Sequence, residues 1–239
     1  MQGPAVLSAP VSEAVRYESD GVAIRAVCVR PPKILASLPV LLVLHEWWGL
    51  NEHVNGVAQR CAKAGYLALA PDLYSRQGYK VTQDPAEAAA LMSELSSQAI
   101  LRDLNAAIRY LKSLDVVDPL RIGIIGFSMG GSLALTMATH NSDLKAAAIF
   151  YGKIPLLESI DALLCPLVYH YPVKDAWVTK QEIALLQQGL EKYGKTGTIY
   201  TYPEAHHSFC NEMRSEVYRA QDTELAWQRT LAFFQQHLW

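Results

Sequence analysis

The chain has 239 residues, 51% hydrophobic and 18% charged, with net charge −2, which suits one large core and offers no basic footprint for nucleic acid or an anionic membrane surface. No apolar run is long enough to span a bilayer, and Met1 to Pro10 does not read as a secretory leader. Four scattered cysteines, Cys28, Cys61, Cys165 and Cys210, lack metal or disulfide spacing, so a cytoplasmic protein without metal or cofactor is expected.

Ala14–Glu18 and Ala23–Val29 flank the turn Ser19-Asp20-Gly21 and predict a hairpin. Pro39 to Leu44 is continuously apolar, as in a strand buried on both faces. After it comes His45-Glu46-Trp47-Trp48-Gly49-Leu50-Asn51, where Asn51 reads as a helix N-cap. Val54, Val57, Ala58 and Cys61 recur at helical spacing, and Gly65 stops the helix. Tyr66–Ala70 predicts a strand, closed by Pro71-Asp72, and Leu73 to Gln83 a loop at its end. Ala86–Met92 and the set Leu101, Leu104, Ile108, Leu111 predict two helices, and Asp118-Pro119 a turn. Further strands are expected at Arg121–Ile125, Lys145–Tyr151, Pro166–His170 and Thr198–Tyr202. Thr179 with Glu182 forms a capping box that opens a long helix. Gly194 to Gly197 is a turn, and Trp227, Leu231, Phe234 and Leu238 share one face of a final helix. Alternating strands and helices, without repeat or linker, predict one α/β domain over residues 1–239, a mostly parallel sheet with helices on both faces.

Gly126-Phe127-Ser128-Met129-Gly130 joins the strand Arg121–Ile125 to the helical run Ser132–Ala138. G-x-S-x-G on a strand-to-helix turn is the setting of a nucleophile elbow. The two glycines leave room where a Cβ would collide, and the helix aims its first N–H groups at the position of an oxyanion. A serine hydroxyl needs a base to take its proton, and the base needs an acid to orient it. In α/β-hydrolases that order is Ser, then Asp or Glu, then His. Here Ser128 is followed by Asp175, just after a strand, and by His206-His207 after the last strand. His207 is taken as the base and His206 as a loop residue near the mouth; Glu204 is a rival acid on the same tight loop. The oxyanion donors are expected to be the N–H groups of Met129 and Trp47, with His45 in a structural, backbone-bonded role. Trp47, Trp48, Tyr74, Tyr79, Tyr151, Trp177 and Phe209 fall in or beside loops at strand ends and suggest an apolar or planar acyl or lactone pocket.

These residues resemble the dienelactone hydrolase (carboxymethylenebutenolidase) family over most of the chain. The likeness is carried by His45–Asn51, Pro71-Asp72-Leu73-Tyr74, Arg76-Gln77, Gly126–Gly131, Asp175 and Tyr202-Pro203-x-Ala205-x-His207-x-Phe209, and the last pattern supports His207 over His206. The resemblance implies a single-domain α/β-hydrolase without a cap domain, acting on lactones or small esters. It implies a glutamate, here Glu46, near the nucleophile, and an arginine, here Arg76, that pairs with a substrate carboxylate.

Two departures stand out. Well-known members have cysteine where this chain has Ser128, and in them the glutamate takes the thiol proton when substrate binds. A thiol at ~8.5 and a carboxylate at ~4.3 differ by ~6 kcal/mol in proton affinity, which a local field can offset. An alcohol near ~15.7 leaves ~15 kcal/mol. His207 is therefore the expected base, and Glu46 a hydrogen-bond acceptor or a partner of Arg76. The family's other carboxylate-binding arginine is replaced by Asn211, with Arg214 nearby but displaced. The expected activity is a serine esterase or lactonase on a small-molecule substrate, monomeric or weakly oligomeric. A thioesterase, a peptidase-like acyl hydrolase and a non-catalytic ligand-binding relative of the fold are the alternatives.

Overall fold

The computed structural model describes residues 9–34 and 36–239; most of the segment Met1 to Pro10, which above does not read as a secretory leader, lies outside them. Eight strands form one sheet in the order β1-β2-β4-β3-β5-β6-β7-β8. They are β1 (Val11–Ser19), β2 (Val22–Arg30), β3 (Leu38–Leu44), β4 (Leu67–Pro71), β5 (Val117–Phe127), β6 (Leu144–Phe150), β7 (Leu167–Pro172) and β8 (Gly197–Tyr202). The first two strands form the expected hairpin, and β2 pairs antiparallel with β4. From β4 onward every pairing is parallel, because helices return the chain across the sheet.

The helices are α1 (Glu52–Lys63), α2 (Pro85–Ser93), α3 (Ser97–Lys112), α4 (Met129–His140), α5 (Lys180–Lys192) and α6 (Ala220–Leu238). The Asn51 side chain accepts from Val54 N–H at the start of α1, and Thr179 and Glu182 cap α5 reciprocally. Every residue of β3 is buried, since helices cover both faces of the sheet. One apolar cluster lies against α3 and α4, and the other against α1 and α6, where Trp227, Phe234 and Leu238 point inward.

The turn expected at Asp118-Pro119 is instead an irregularity inside β5. Register with β3 jumps between the pairs Leu38–Val117 and Val40–Ile122. Asp118 Oδ1 accepts from Leu120 N–H, so the local Asx geometry is present, but strand pairing continues on either side of it. The loop Leu73–Gln83 contains one 3-10 turn, Ser75–Gln77. Among the described residues, no helix is long and apolar enough to cross a membrane.

Candidate active site

β5 ends at Phe127 and α4 begins at Met129, so Ser128 alone makes the turn, with φ 52° and ψ −115°. A non-glycine residue held there costs roughly 1–3 kcal/mol, and it persists only where its surroundings impose it. Close approach imposes it here. A Cβ on Gly126 would lie 2.1 Å from Gly130 O, and a Cβ on Gly130 would lie 2.4 Å from Leu44 O and 2.5 Å from His45 O. The turn is thus pressed against the end of β3, beside the loop that follows it. Ser128 donates its own N–H to Phe150 O at 2.9 Å.

Three loops at the C-terminal ends of parallel strands meet at this turn, the usual ligand edge of an open α/β sheet. Ser128 Oγ lies 2.7 Å from His207 Nε2. His207 Nδ1 lies 2.7 Å from Asp175 Oδ2. The other carboxylate oxygen, Asp175 Oδ1, accepts N–H bonds from Trp177 at 2.7 Å and Val178 at 3.0 Å. Both Asp175 oxygens are therefore acceptors, which places the His207 proton on Nδ1 and leaves Nε2 to accept from the serine. The Asp175 side chain is fully buried and that of His207 is 27% exposed. Trp177 and Tyr151 meet the His207 ring edge-on at 5.1 and 5.0 Å and hold its plane.

A cavity of about 400 Å³ opens beside Ser128 and His207. Trp47, Met92, Trp177 and Val217 supply its apolar wall, and Lys174, His206 and Arg214 supply cationic or titratable groups. Of the aromatic set, only Trp47 and Trp177 line it. Tyr74, Tyr151 and Phe209 are buried outright and support the site from behind. Trp48 packs under the Arg214 guanidinium, which lies 4.9 Å from its ring centre. Met92 closes the expected helix Ala86–Met92 beside the buried Leu91, and neither it nor Val217 carries a chemical mark in the sequence that would single it out for the site.

Arg76 is not at this cavity. Its guanidinium is held by both oxygens of Asp103, at 2.9 and 2.8 Å, and by Ser19 O at 2.9 Å. A bidentate pair with a nearly buried carboxylate satisfies that fork locally, so Arg76 serves the packing of α3 on the β1–β2 edge. Nor does it pair with Glu46. The Glu46 carboxylate is 2% exposed, and its Oε2 accepts from Asn211 Nδ2 at 2.6 Å. Asn211 Oδ1 accepts from Met213 N–H, which fixes the amide with its NH₂ toward Glu46. Glu46 faces the Tyr151 phenol, and burial together with that carboxylate raises the phenol well above its ordinary value.

His45 is fully buried. Its Nε2 accepts from Leu73 N–H at 3.0 Å and its Nδ1 lies 2.5 Å from Glu46 O, the backbone-bonded role expected of it. Burial lowers its pKa from the ordinary value, against the opposing pull of the Glu46 carbonyl and Asp72. Among the described residues, no cluster of His, Cys, Asp and Glu is arranged to hold a metal ion.

Residues 24–238 match the model of the dienelactone hydrolase family. A protein of Yersinia pestis provisionally named carboxymethylenebutenolidase is 32% identical over 232 residues, 92% of this chain and 86% of that one. The protein usf of Aquifex pyrophilus is 31% identical over 95% of this chain and 100% of its own. A crystal structure of a provisionally named dienelactone hydrolase from Klebsiella pneumoniae superposes with a TM-score of 0.90 at 30% identity, covering 96% of this chain and 100% of that one.

Proposed function

The chain belongs to the dienelactone hydrolase family, a family of α/β-hydrolases, and from that premise we infer that it hydrolyses small esters or lactones through an acyl-enzyme on Ser128. The observation that carries this reading is the His207 imidazole, 2.7 Å from the Ser128 hydroxyl oxygen on one side and 2.7 Å from Asp175 on the other.

In the proposed cycle Ser128 Oγ attacks the acyl carbonyl while His207 Nε2 takes its proton. The imidazolium that forms is held by the Asp175 carboxylate, already desolvated and bonded to two backbone N–H groups. The carbonyl oxygen gains negative charge, which the N–H groups of Met129 and Trp47 receive. Met129 is the first residue of α4, where N–H groups lack helical partners and the dipole favours an anion. His207 then protonates the leaving alcohol, the acyl group stays on Ser128, and a water deprotonated by His207 releases it. Glu46 is not needed as a base, since His207 already stands 2.7 Å from the serine hydroxyl and the proton-affinity gap between a carboxylate and an alcohol is ~15 kcal/mol.

Initial rates on a panel of p-nitrophenyl esters, five- and six-membered lactones, acyl thioesters and peptide anilides test the substrate class. The expected order puts small esters and lactones first, with a pre-steady-state burst of p-nitrophenol close to one per active site. Turnover confined to thioesters or anilides would reject the substrate class, and the absence of any burst or turnover would reject the acyl-enzyme.

A further inference from the structure

The loop after β3 holds in place the peptide that carries the Trp47 N–H, the second oxyanion donor of the proposed cycle. A trans peptide is planar, with its C=O and N–H pointing in opposite directions, and no cis peptide is present among the described residues. Whatever fixes the Glu46 carbonyl therefore fixes the direction of the Trp47 N–H. Two donors hold that carbonyl: His45 Nδ1 at 2.5 Å and Gly49 N–H at 3.3 Å. The next peptide is fixed as well, because Tyr74 donates its hydroxyl to Trp47 O at 2.8 Å.

Which nitrogen of His45 carries the proton follows from its partners. Leu73 N–H points at Nε2, so Nε2 is the acceptor and Nδ1 is the N–H. The ring is fully buried, and Asp72 Oδ1 is the nearest carboxylate at 3.9 Å from Nε2. Trp47 itself lines the cavity that holds Ser128, while its carbonyl is turned to Tyr74.

We propose that His45, which touches neither substrate nor the reacting atoms, is the positioning residue of the oxyanion hole: its Nδ1–H pins the Glu46 carbonyl and thereby turns the Trp47 N–H toward the reacting oxygen. The inference rests on the acyl-enzyme reading above and adds the means by which the donor is held.

Two substitutions separate aim from packing. In His45→Asn the side-chain amide falls near the place of Nδ1 and keeps a donor for the Glu46 carbonyl. In His45→Gln the amide falls near the place of Nε2, keeps the Leu73 contact and lacks that donor. Removing one oxyanion donor costs about 10²–10³ in kcat, and a misaimed donor should cost somewhat less. His45→Gln is expected to lower kcat on a p-nitrophenyl ester by about 10- to 100-fold with KM little changed, and to weaken a trifluoromethyl ketone by a similar factor. His45→Asn should stay close to wild type on both. Equal losses in the two variants that track their melting temperatures, or full kcat in His45→Gln, would overturn the proposal.

The wild-type protein gives two further readings. Two-bond ¹⁵N–¹H correlations should show His45 as the Nδ1–H tautomer; an Nε2–H tautomer overturns the proposal even where the glutamine variant does not fold. A crystal structure of the trifluoromethyl ketone adduct should place the hemiketal oxygen on the N–H groups of Trp47 and Met129. Oxygen elsewhere sinks the oxyanion reading and His45 with it. Oxygen in place, with His45→Gln fully active, sinks the role of His45 alone.

Discussion

His170 on β7 and His207 after β8 are the same side chain in opposite settings. Each ring bridges two oxygen-bearing groups. His170 spans Tyr202 OH and Thr230 Oγ1, both at 2.8 Å, and stacks on Phe150 with centroids 4.2 Å apart. Thr230 gives its own proton to Ala226 O, so His170 Nε2 must donate to Thr230 and Nδ1 must accept from Tyr202. His207 carries its proton on the other nitrogen. His170 is fully buried with only neutral partners, and burial pushes its pKa down to about 3. His207 has the Asp175 carboxylate on one side, and its side chain is 27% exposed. A ring without a counter-charge or water cannot hold a second proton and acts as a strut. A ring with a carboxylate behind it and a hydroxyl in front can take a proton and return it.

The strongest way to break this contrast is Asp175→Asn. Two backbone N–H groups hold Oδ1 as an acceptor, so the new NH₂ would face His207 Nδ1. That forces the imidazole proton onto Nε2, where it faces Ser128 and blocks proton uptake. The expected loss in kcat is on the order of 10⁴-fold in a protein that still folds, measured by initial rates on a p-nitrophenyl ester with circular dichroism alongside. A loss under tenfold would mean that the acid does not set the tautomer.

His170→Phe should do the reverse. It leaves the buried Tyr202 hydroxyl without its partner, at a cost of about 1–3 kcal/mol in urea unfolding, while kcat at 25 °C stays within about twofold, the scatter of a remote packing change. A large loss of kcat with little loss of stability would put His170 in the chemistry.

The buried ring of His170 can also be followed on a pH axis. His170 is near 6.5 when unfolded and about 3 when folded, so the unfolded chain binds the extra proton between those values. Its stabilising contribution is complete above pH 6.5 and is lost as pH falls toward 3, by up to about 1.4 kcal/mol per pH unit. Urea midpoints from pH 7 to 4.5 should fall less steeply in His170→Phe than in the wild type. His45 and His53, whose pKa values burial also lowers, keep some slope in both. Parallel slopes would contradict the buried, neutral His170.

Glu46→Gln should have the smallest effect. Asn211 can still donate to the remaining amide oxygen, so kcat is expected within about tenfold of wild type. A fall of 10³ or more, the scale of losing a base, would move the base from His207 to Glu46.

Most of the scaffold was legible because its signals are local. The capping box at Thr179 and Glu182, the Asn51 cap and the apolar run of β3 each depend on neighbours in sequence. The places of Ser128, Asp175 and His207 at strand ends followed from the element order, and the structure brings the three side chains together. Arg76 was misread because its partner, Asp103, lies on another helix and only folding brings the two to 2.8 Å. The pairing of Glu46 with Asn211 spans 165 positions and likewise has no local mark. Tyr74, Tyr151 and Phe209 sit near strand ends, as pocket residues do, but their rings turn inward. Period and position place a residue at the site's edge of the sheet; which side its ring packs on is decided by tertiary contacts.

The most direct test is intact-mass analysis with a fluorophosphonate, following the rate of adduct formation in the wild type, Ser128→Ala and His207→Gln. One adduct should form on the wild type, map to Ser128, vanish in Ser128→Ala and slow by at least about 10³-fold in His207→Gln. Labelling of His207→Gln at the wild-type rate, or an adduct on any residue other than Ser128, would contradict the account.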